Sequence, residues 1–171
     1  TQIWHELWRQ GKTTPAQSAF WEPRAPEELY DLEADPDETV NLATSPEHEA
    51  TLSRLREAVR RWQFEVRDPD LLPEPELHNL PVGATPYDFG HDRTAYPLPE
   101  LLSLAELASG LTEEGLPVLR EALFSPEEAF RYWGALGLLM RGEAAVEQYA
   151  AELREKLSDP AHKHYFGIYR Q

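Results

Sequence analysis

Cysteine is absent from the 171 residues of this chain, which excludes a disulfide framework, a cysteine-ligated zinc ribbon and a thiol nucleophile. It leaves the compartment open. No run approaches the roughly 18 apolar residues that span a bilayer, so the sequence implies no membrane-embedded segment. The first residues, Thr1-Gln2-Ile3-Trp4-His5, offer neither an initiator Met nor a basic and apolar leader, as in a processed protein or a fragment. Cations are scarce: 16 Lys and Arg face 31 Asp and Glu, for a formal net charge of −15. A nucleic-acid duplex or a sulfated glycan would meet a repulsive average field, so polyanion binding by this chain alone is disfavoured. Plain solubility is a sufficient reason for the acidity. Glycine is sparse as well, nine residues against fifteen prolines, and describes a chain that is often interrupted.

What is present argues for a folded domain, or two small ones. Hydrophobic residues make up 41% of the chain and include five tryptophans, enough to form a core. Ile3, Trp4, Leu7 and Trp8 fall at helical spacing. Thr14-Pro15-Ala16-Gln17 reads as a capping box with Pro at the first helical position, starting a short helix to about Trp21. Pro23 and Pro26 close it. Glu28-Leu29-Tyr30-Asp31-Leu32 reads as a short strand, and Glu33-Ala34-Asp35-Pro36-Asp37-Glu38 as a turn. Ser45-Pro46-Glu47 supplies an N-cap, a Pro and an acid suited to a helix dipole. The steps Leu52, Leu55, Val59, Trp62 and Val66 then describe an amphipathic helix of about six turns.

Residues 68–97 hold Pro69, Pro73, Pro75, Pro81, Pro86 and Pro97 and show little periodicity. Leu71, Leu72, Leu80, Tyr87, Phe89 and Tyr96 would anchor this segment as an ordered wrapping loop or linker. Beyond it the pattern is helical. Leu101, Leu104, Ala105 and Ala108 form one apolar face ended by Gly110, and Leu116, Leu119 and Leu123 form the next. Ser125-Pro126-Glu127-Glu128 reads as a full capping box opening a widely buried helix with Phe130, Trp133, Leu136, Gly137 and Met140. Gly142 stops it. Val146, Tyr149, Ala150, Leu153 and Leu157 give a last helix, ended by Asp159-Pro160. Leu116–Met140 and Val146–Leu157 look like consecutive antiparallel helices of a HEAT-like solenoid. Such repeats need about three neighbours to stand alone, and roughly two are countable here, so another body would cover an open face. The expected fold class is mainly α with a small β element: a strand-turn-helix subdomain over residues 1–67, the Pro-rich segment 68–97, and a HEAT-like helical segment over 98–171.

The run Pro26-Glu27-Glu28-Leu29-Tyr30-Asp31-Leu32-Glu33-Ala34-Asp35-Pro36-Asp37-Glu38, followed by Asn41-Leu42-Ala43, resembles the C-terminal subdomain signature of the sulfatase family. It is most similar to the bacterial branch related to heparan N-sulfatases. There a Glu-Leu-Tyr-Asp-Leu strand precedes an Asp-Pro-x-Glu turn, an Asn-Leu-Ala step and a long helix. Gly11-Lys12-Thr13-Thr14-Pro15-Ala16-Gln17 and Phe20-Trp21 look like the lead-in of that branch, and Leu98–Leu157 looks like the HEAT-like helices some members carry. The resemblance implies a strand joining a small antiparallel sheet, with the Leu52–Trp62 helix over one face. It also implies a periplasmic or secreted parent enzyme that uses calcium and a formylglycine. That formylglycine arises from a Cys/Ser-x-Pro-x-x-Arg motif, and this chain has no Cys and no Ser in such a setting. The family's calcium site lies mainly in the larger N-terminal domain. No catalytic, cofactor or metal residue is therefore carried over, and the N-terminal catalytic domain becomes the implied partner. A homo-oligomer contact is a further implied role.

Candidate sites outside the resemblance each have a simpler reading. Asp31, Glu33, Asp35 and Asp37 alternate like a calcium loop, yet Pro36 and Leu42 stand where an EF-hand needs Gly and Glu. A solvated turn is simpler. His162 and His164 could hold a metal across a strand-like step, but no third His is near in sequence. Arg93 in His91-Asp92-Arg93 could meet a sulfate with its guanidinium fork; a surface ion pair is the plainer reading. Trp4, Trp8, Trp62 and Trp133 fall on helical faces and are most simply core. The sequence therefore reads as the non-catalytic C-terminal part of a sulfatase-like hydrolase. The alternative is a free-standing HEAT-like interaction module, and a self-sufficient enzyme is the remotest reading.

Overall fold

The computed structural model of the protein describes residues 1–80 and 83–158, without the side chains at 151–153 and 155–158. It divides into two units, Thr1–Arg60 and Arg61–Gln171.

In the first unit α1 (Gln2–Arg9) and α2 (Pro15–Ser18) precede a long irregular stretch; α3 (Glu49–Val66) begins in the first unit and ends past the boundary at Arg60. The Thr14 capping box forms as its residue types dictate. The Thr14 hydroxyl accepts from Gln17 N–H at 3.3 Å, and the Gln17 side chain accepts from Thr14 N–H at 3.0 Å. The helix it starts ends at Ser18, earlier than the expected Trp21. Rings tie α1 to the α2 region: Trp4 stacks on Phe20 at 5.0 Å and His5 on Trp21 at 4.5 Å, while Trp4 Nε1 donates to the Gln17 carbonyl at 3.0 Å. Pro46–His48 makes a 3-10 turn, so the regular part of α3 begins at Glu49 and the Ser45 hydroxyl meets His48 Nδ1 rather than capping it.

Two expectations fail between residues 28 and 66. The small β element is not seen: Glu28–Leu32 is without regular structure, and no strand occurs among the described residues. A strand is defined by a ladder to a neighbour, and none of the described segments supplies one. The stripe on α3 is also not core. Leu55, Val59, Trp62 and Val66 are exposed, Trp62 by 58%. Trp4, expected as core, is 36% exposed and Trp8 is half-buried.

The second unit holds α4 (Glu74–His78), α5 (Pro86–His91), α6 (Leu98–Ser109), α7 (Leu116–Ala122), α8 (Glu128–Met140) and α9 (Glu143–Ser158). Prolines at the first helical positions of α4 to α7 cost no hydrogen bond there. α8 packs on α6, α7 and α9. One cluster gathers Leu72, Tyr96, Leu98, Leu101, Leu102 and Ala129; a second gathers Leu104, Ala108, Leu119, Ala122, Leu123 and Leu138. Each fully buried leucine stabilises the unit by roughly 1.5–3 kcal/mol. Gly134 and Gly137 let α8 lie against α7. A Cβ at Gly134 would stand 2.7 Å from the Leu119 carbonyl oxygen, and one at Gly137 2.7 Å from Leu119 Cδ2. The expected capping box at Ser125 is replaced by another arrangement. The Ser125 hydroxyl donates to Glu127 Oε2 at 2.6 Å, and α8 starts only at Glu128. Trp133 is partly buried between the clusters and donates from Nε1 to the Leu71 carbonyl at 2.7 Å.

Candidate functional site

The segment from Glu27 to Ala43 is held open by side chains that bond to backbone. Leu29 N–H donates to Asn41 Oδ1 at 3.0 Å, Ala43 N–H donates to the same oxygen at 2.9 Å, and Asn41 Nδ2 donates to the Glu27 carbonyl at 3.1 Å. Leu42 N–H completes the clamp by donating to the Leu29 carbonyl at 2.7 Å. One asparagine thus fixes the chain on both sides of a loop of a dozen residues, using both donor and acceptor ends of its amide.

Carboxylates shape the loop between. Asp31 Oδ1 accepts from Glu33 N–H at 3.0 Å and from Ala34 N–H at 3.3 Å. The Asp35 carboxylate accepts from Thr39 N–H and Val40 N–H, both at 2.7 Å, and from the Thr39 hydroxyl at 3.0 Å. These bonds, the Val40 amide first, hold the Asp35 carboxyl below the ordinary aspartate range. Glu38 occupies the left-handed region at φ 52°, which lets the loop turn back. Glu27 is anchored to α3 by a bidentate pair with Arg56, and the Arg56 bond lowers its pKa. Arg24 pairs with Glu28 at 3.0 Å.

The consequence is a polarised backbone. In an extended chain successive residues turn their N–H and C=O to opposite sides. Leu29 has both groups engaged by Asn41 and Leu42. Tyr30 makes no backbone hydrogen bond among the described residues; Leu32 already lies in the turn that the Asp35 N–H closes on the Asp31 carbonyl at 2.7 Å, and Leu32 and Val40 are exposed by 63% and 58%. The chain is thus bonded on one side at Leu29, while Tyr30 leaves its own N–H and C=O open. An open edge of this kind is a template for strand addition.

The other sequence candidates do not assemble. Asp31 and Asp35 cap backbone amides, and among the described residues no three His, Asp or Glu side chains gather as a metal site. His91 ends α5 with Nδ1 against the Tyr87 carbonyl at 2.9 Å, and Asp92 accepts from Thr94 N–H and its hydroxyl at 2.8 and 2.7 Å. Arg93 is exposed. These three neighbours in sequence therefore do separate things. His162 and His164 lie outside the described residues. Among those residues no helix is long and apolar enough to cross a membrane.

Three side chains matter more than their sequence surroundings suggested. Asn41 stood out only as part of a family signature, although an Asn beside a turn can bond its own neighbourhood. Arg67 donates to the Gly90 and Tyr96 carbonyls at 2.7 and 2.8 Å. Arg141 donates to the Leu107, Ala108, Thr112 and Gly137 carbonyls, closing the C-terminal end of α6. No local spacing announces pairs 23 to 34 residues apart.

Similarity to known proteins gives this clamped segment a context. The chain is related, over part of its length, to sulfatases. It is 42% identical over 65 residues to human N-sulphoglucosamine sulphohydrolase, covering 34% of this chain and 13% of the human protein. It is 39% identical over 71 residues to the ulvan-active sulfatase of Formosa agariphila, covering 41% of this chain and 12% of that enzyme. The similarity thus spans about one eighth of each relative's length. No family model matches the chain, and no solved structure matches it.

Proposed function

We propose that the chain is the non-catalytic C-terminal part of a sulfatase-like hydrolase, and that Glu28–Leu32 completes a small sheet whose other strands lie in a separate catalytic domain. The single observation that carries this is the one-sided backbone at Leu29–Tyr30: Leu29 is bonded by Asn41 and Leu42 while Tyr30 leaves its N–H and C=O open. The exposed stripe Leu55, Val59, Trp62 and Val66 on α3 supports the same reading, since an amphipathic helix is normally stabilised by the body that covers its apolar face. The partner is the parent's catalytic domain, and this part shapes its cleft. The parent reaction is hydrolysis of a sulfate ester or sulfamate, on a carbohydrate to judge by the names of the two relatives. Formylglycine and calcium belong to the partner domain, and the helical second unit is a HEAT-like extension, as in the bacterial branch the sequence resembles.

The test has two arms. The chain purified by itself is assayed with an aryl sulfate and added calcium, and no turnover above blank is expected. The coding sequence immediately upstream is read in the same frame, where a Cys/Ser-x-Pro-x-x-Arg motif is expected. Turnover by the isolated chain, or an initiating codon directly before Thr1, defeats the proposal. Given the parent domain expressed as a separate chain, Tyr30→Pro removes one edge N–H and is expected to weaken co-purification of the two pieces.

A further inference from the structure

The second unit carries a groove of about 630 Å³ that the sulfatase reading does not use. One wall is a single face of α6, with Glu100, Ser103, Leu104 and Leu107 at steps of three and four residues; the other is a face of α7 with Val118, Glu121 and Ala122. Leu104 and Ala122 are buried and form the floor, while Val118 and Phe124 stand open by 49% and 45%. Both walls are helices whose backbone groups already bond internally, so the groove has no strand edge to offer. It suits an apolar stripe laid between two helices.

Charge selects the occupant. Between Leu98 and Ala150 the sequence has nine glutamates and three arginines. Each arginine is already engaged. Arg141 donates to carbonyls at the end of α6, Arg131 donates to the Ser125 and Pro126 carbonyls at 2.7 and 2.6 Å, and Arg120 stands over the Tyr149 ring at 5.8 Å. Glu100 and Glu121 are exposed, one on each wall. A second copy would bring another net charge of −15, and an anionic bilayer would be repelled by the same rim. We propose that the α6–α7 groove docks a basic amphipathic helix of a partner protein, its leucine-like stripe on Leu104, Val118 and Phe124 and its lysines or arginines toward Glu100 and Glu121.

The probe is a fluorescent, amidated peptide of about eighteen residues, leucine on one helical stripe and lysine elsewhere, titrated with the full chain and read by anisotropy. Saturable one-to-one binding is expected, weakened at least about tenfold by Val118→Asp, a half-exposed site whose folding is checked by circular dichroism. The double variant Glu100→Lys with Glu121→Lys is expected to weaken it by a similar factor. Glu33→Lys with Glu38→Lys, the same charge change on the first unit, is expected to leave it unaltered. Phe124→Ser is the second apolar variant should Val118→Asp misfold. A scrambled peptide of equal composition that binds as tightly shows charge attraction alone and overturns the proposal. So does binding indifferent to both apolar variants, or the absence of saturation at peptide concentrations up to about 100 µM.

Discussion

From Thr1 to Arg60 no described residue is fully buried, whereas the stretch from Pro69 to Leu138 contains every buried residue of the described chain. The first unit is ordered by ring stacks and by side chains bonded to backbone, with Thr14, Asp31, Asp35 and Asn41 each holding a turn or cap. The second is ordered by two apolar clusters joined through Trp133. Polar bonds of the first kind choose a conformation but contribute only about 0.5–1.5 kcal/mol each, because water competes for the same groups. Apolar burial supplies most of the free energy. The contrast teaches that shape and stability are separable here: the first unit has a defined loop geometry with no fully buried residue among those described.

The heaviest blow to that contrast is to hollow out the apolar side. Leu119 is wholly buried and touches the space left by Gly137. Leu119→Ala is expected to cost about 2–5 kcal/mol, through lost transfer energy and the cavity left behind. Urea unfolding with amide exchange is the measurement. Protection should fall across α6, α7 and α8 while the amides of Leu29, Thr39 and Ala43 keep theirs. Equal losses in both units would collapse the distinction into one cooperative body.

Arg141→Ala comes next, at about 2–3 kcal/mol, because several carbonyls at the end of α6 lose a charged donor together. Arg141→Lys should recover only part of this, since a single ammonium cannot span the carbonyls that a guanidinium fork reaches. A fully restored melting temperature in the Lys variant would show that charge near the helix terminus, rather than the fork, is the deciding factor.

Asn41→Ala acts on the other side of the comparison, at about 1–2 kcal/mol felt locally. Exchange at Leu29 and Ala43 should quicken severalfold, with the melting of the second unit unmoved. A global destabilisation instead would mean that the clamp supports more than its own loop.

The range of each interaction decides whether it was legible in the sequence. The helices declared themselves because apolar spacing and capping residues act within one turn: Thr14-Pro15-Ala16-Gln17 makes its box, and Leu101, Leu104, Ala105 and Ala108 are all buried. The relation to sulfatases was legible for a similar reason, in a contiguous signature. The strand at Glu28–Leu32 was misjudged because residue types signal extended backbone but cannot supply the neighbour that turns it into a ladder. Trp62 was misjudged likewise, since periodicity marks the apolar face of α3 without saying what lies against it. The bonds of Asn41 to Glu27, Arg56 to Glu27 and Arg141 to Leu107 join distant positions and left no local trace.

The finest test of the comparison is pH, because Asp35 in the first unit and Tyr96 in the second are shifted in opposite directions. Asp35 is held below its ordinary range by bonds that only its ionised form accepts well, from Val40 first and then Thr39. A depressed carboxyl pKa means the folded form binds fewer protons than the unfolded one. Its stabilisation is therefore complete above the ordinary aspartate range near about 3.9 and is lost as pH falls through the lower folded value. Tyr96 is shifted the other way, pushed up to about 12, chiefly by burial, with its hydroxyl donating to the Asp68 carbonyl at 2.9 Å. Its contribution is complete below the ordinary tyrosine value of about 10 and is lost as pH rises through the folded value. Amide exchange at Thr39 and Val40 should thus rise on the acid side, and Asp35→Asn should flatten that rise. On the alkaline side the protection of the Leu72 and Leu101 amides should fall, and Tyr96→Phe should remove the dependence. Asp92 and Glu127, whose carboxyls are also held low by hydroxyl and backbone donors, add an acid response in the second unit at Thr94, Ala95 and Glu127. Tyr30 in the first unit is raised as well, by desolvation first and then by Glu28, so the discriminating observation is Tyr96→Phe: it should remove the alkaline limb at Leu72 and Leu101 and leave Thr39 and Val40 unaltered. An altered alkaline response at those two amides in Tyr96→Phe would tie the polar loop to the apolar core after all.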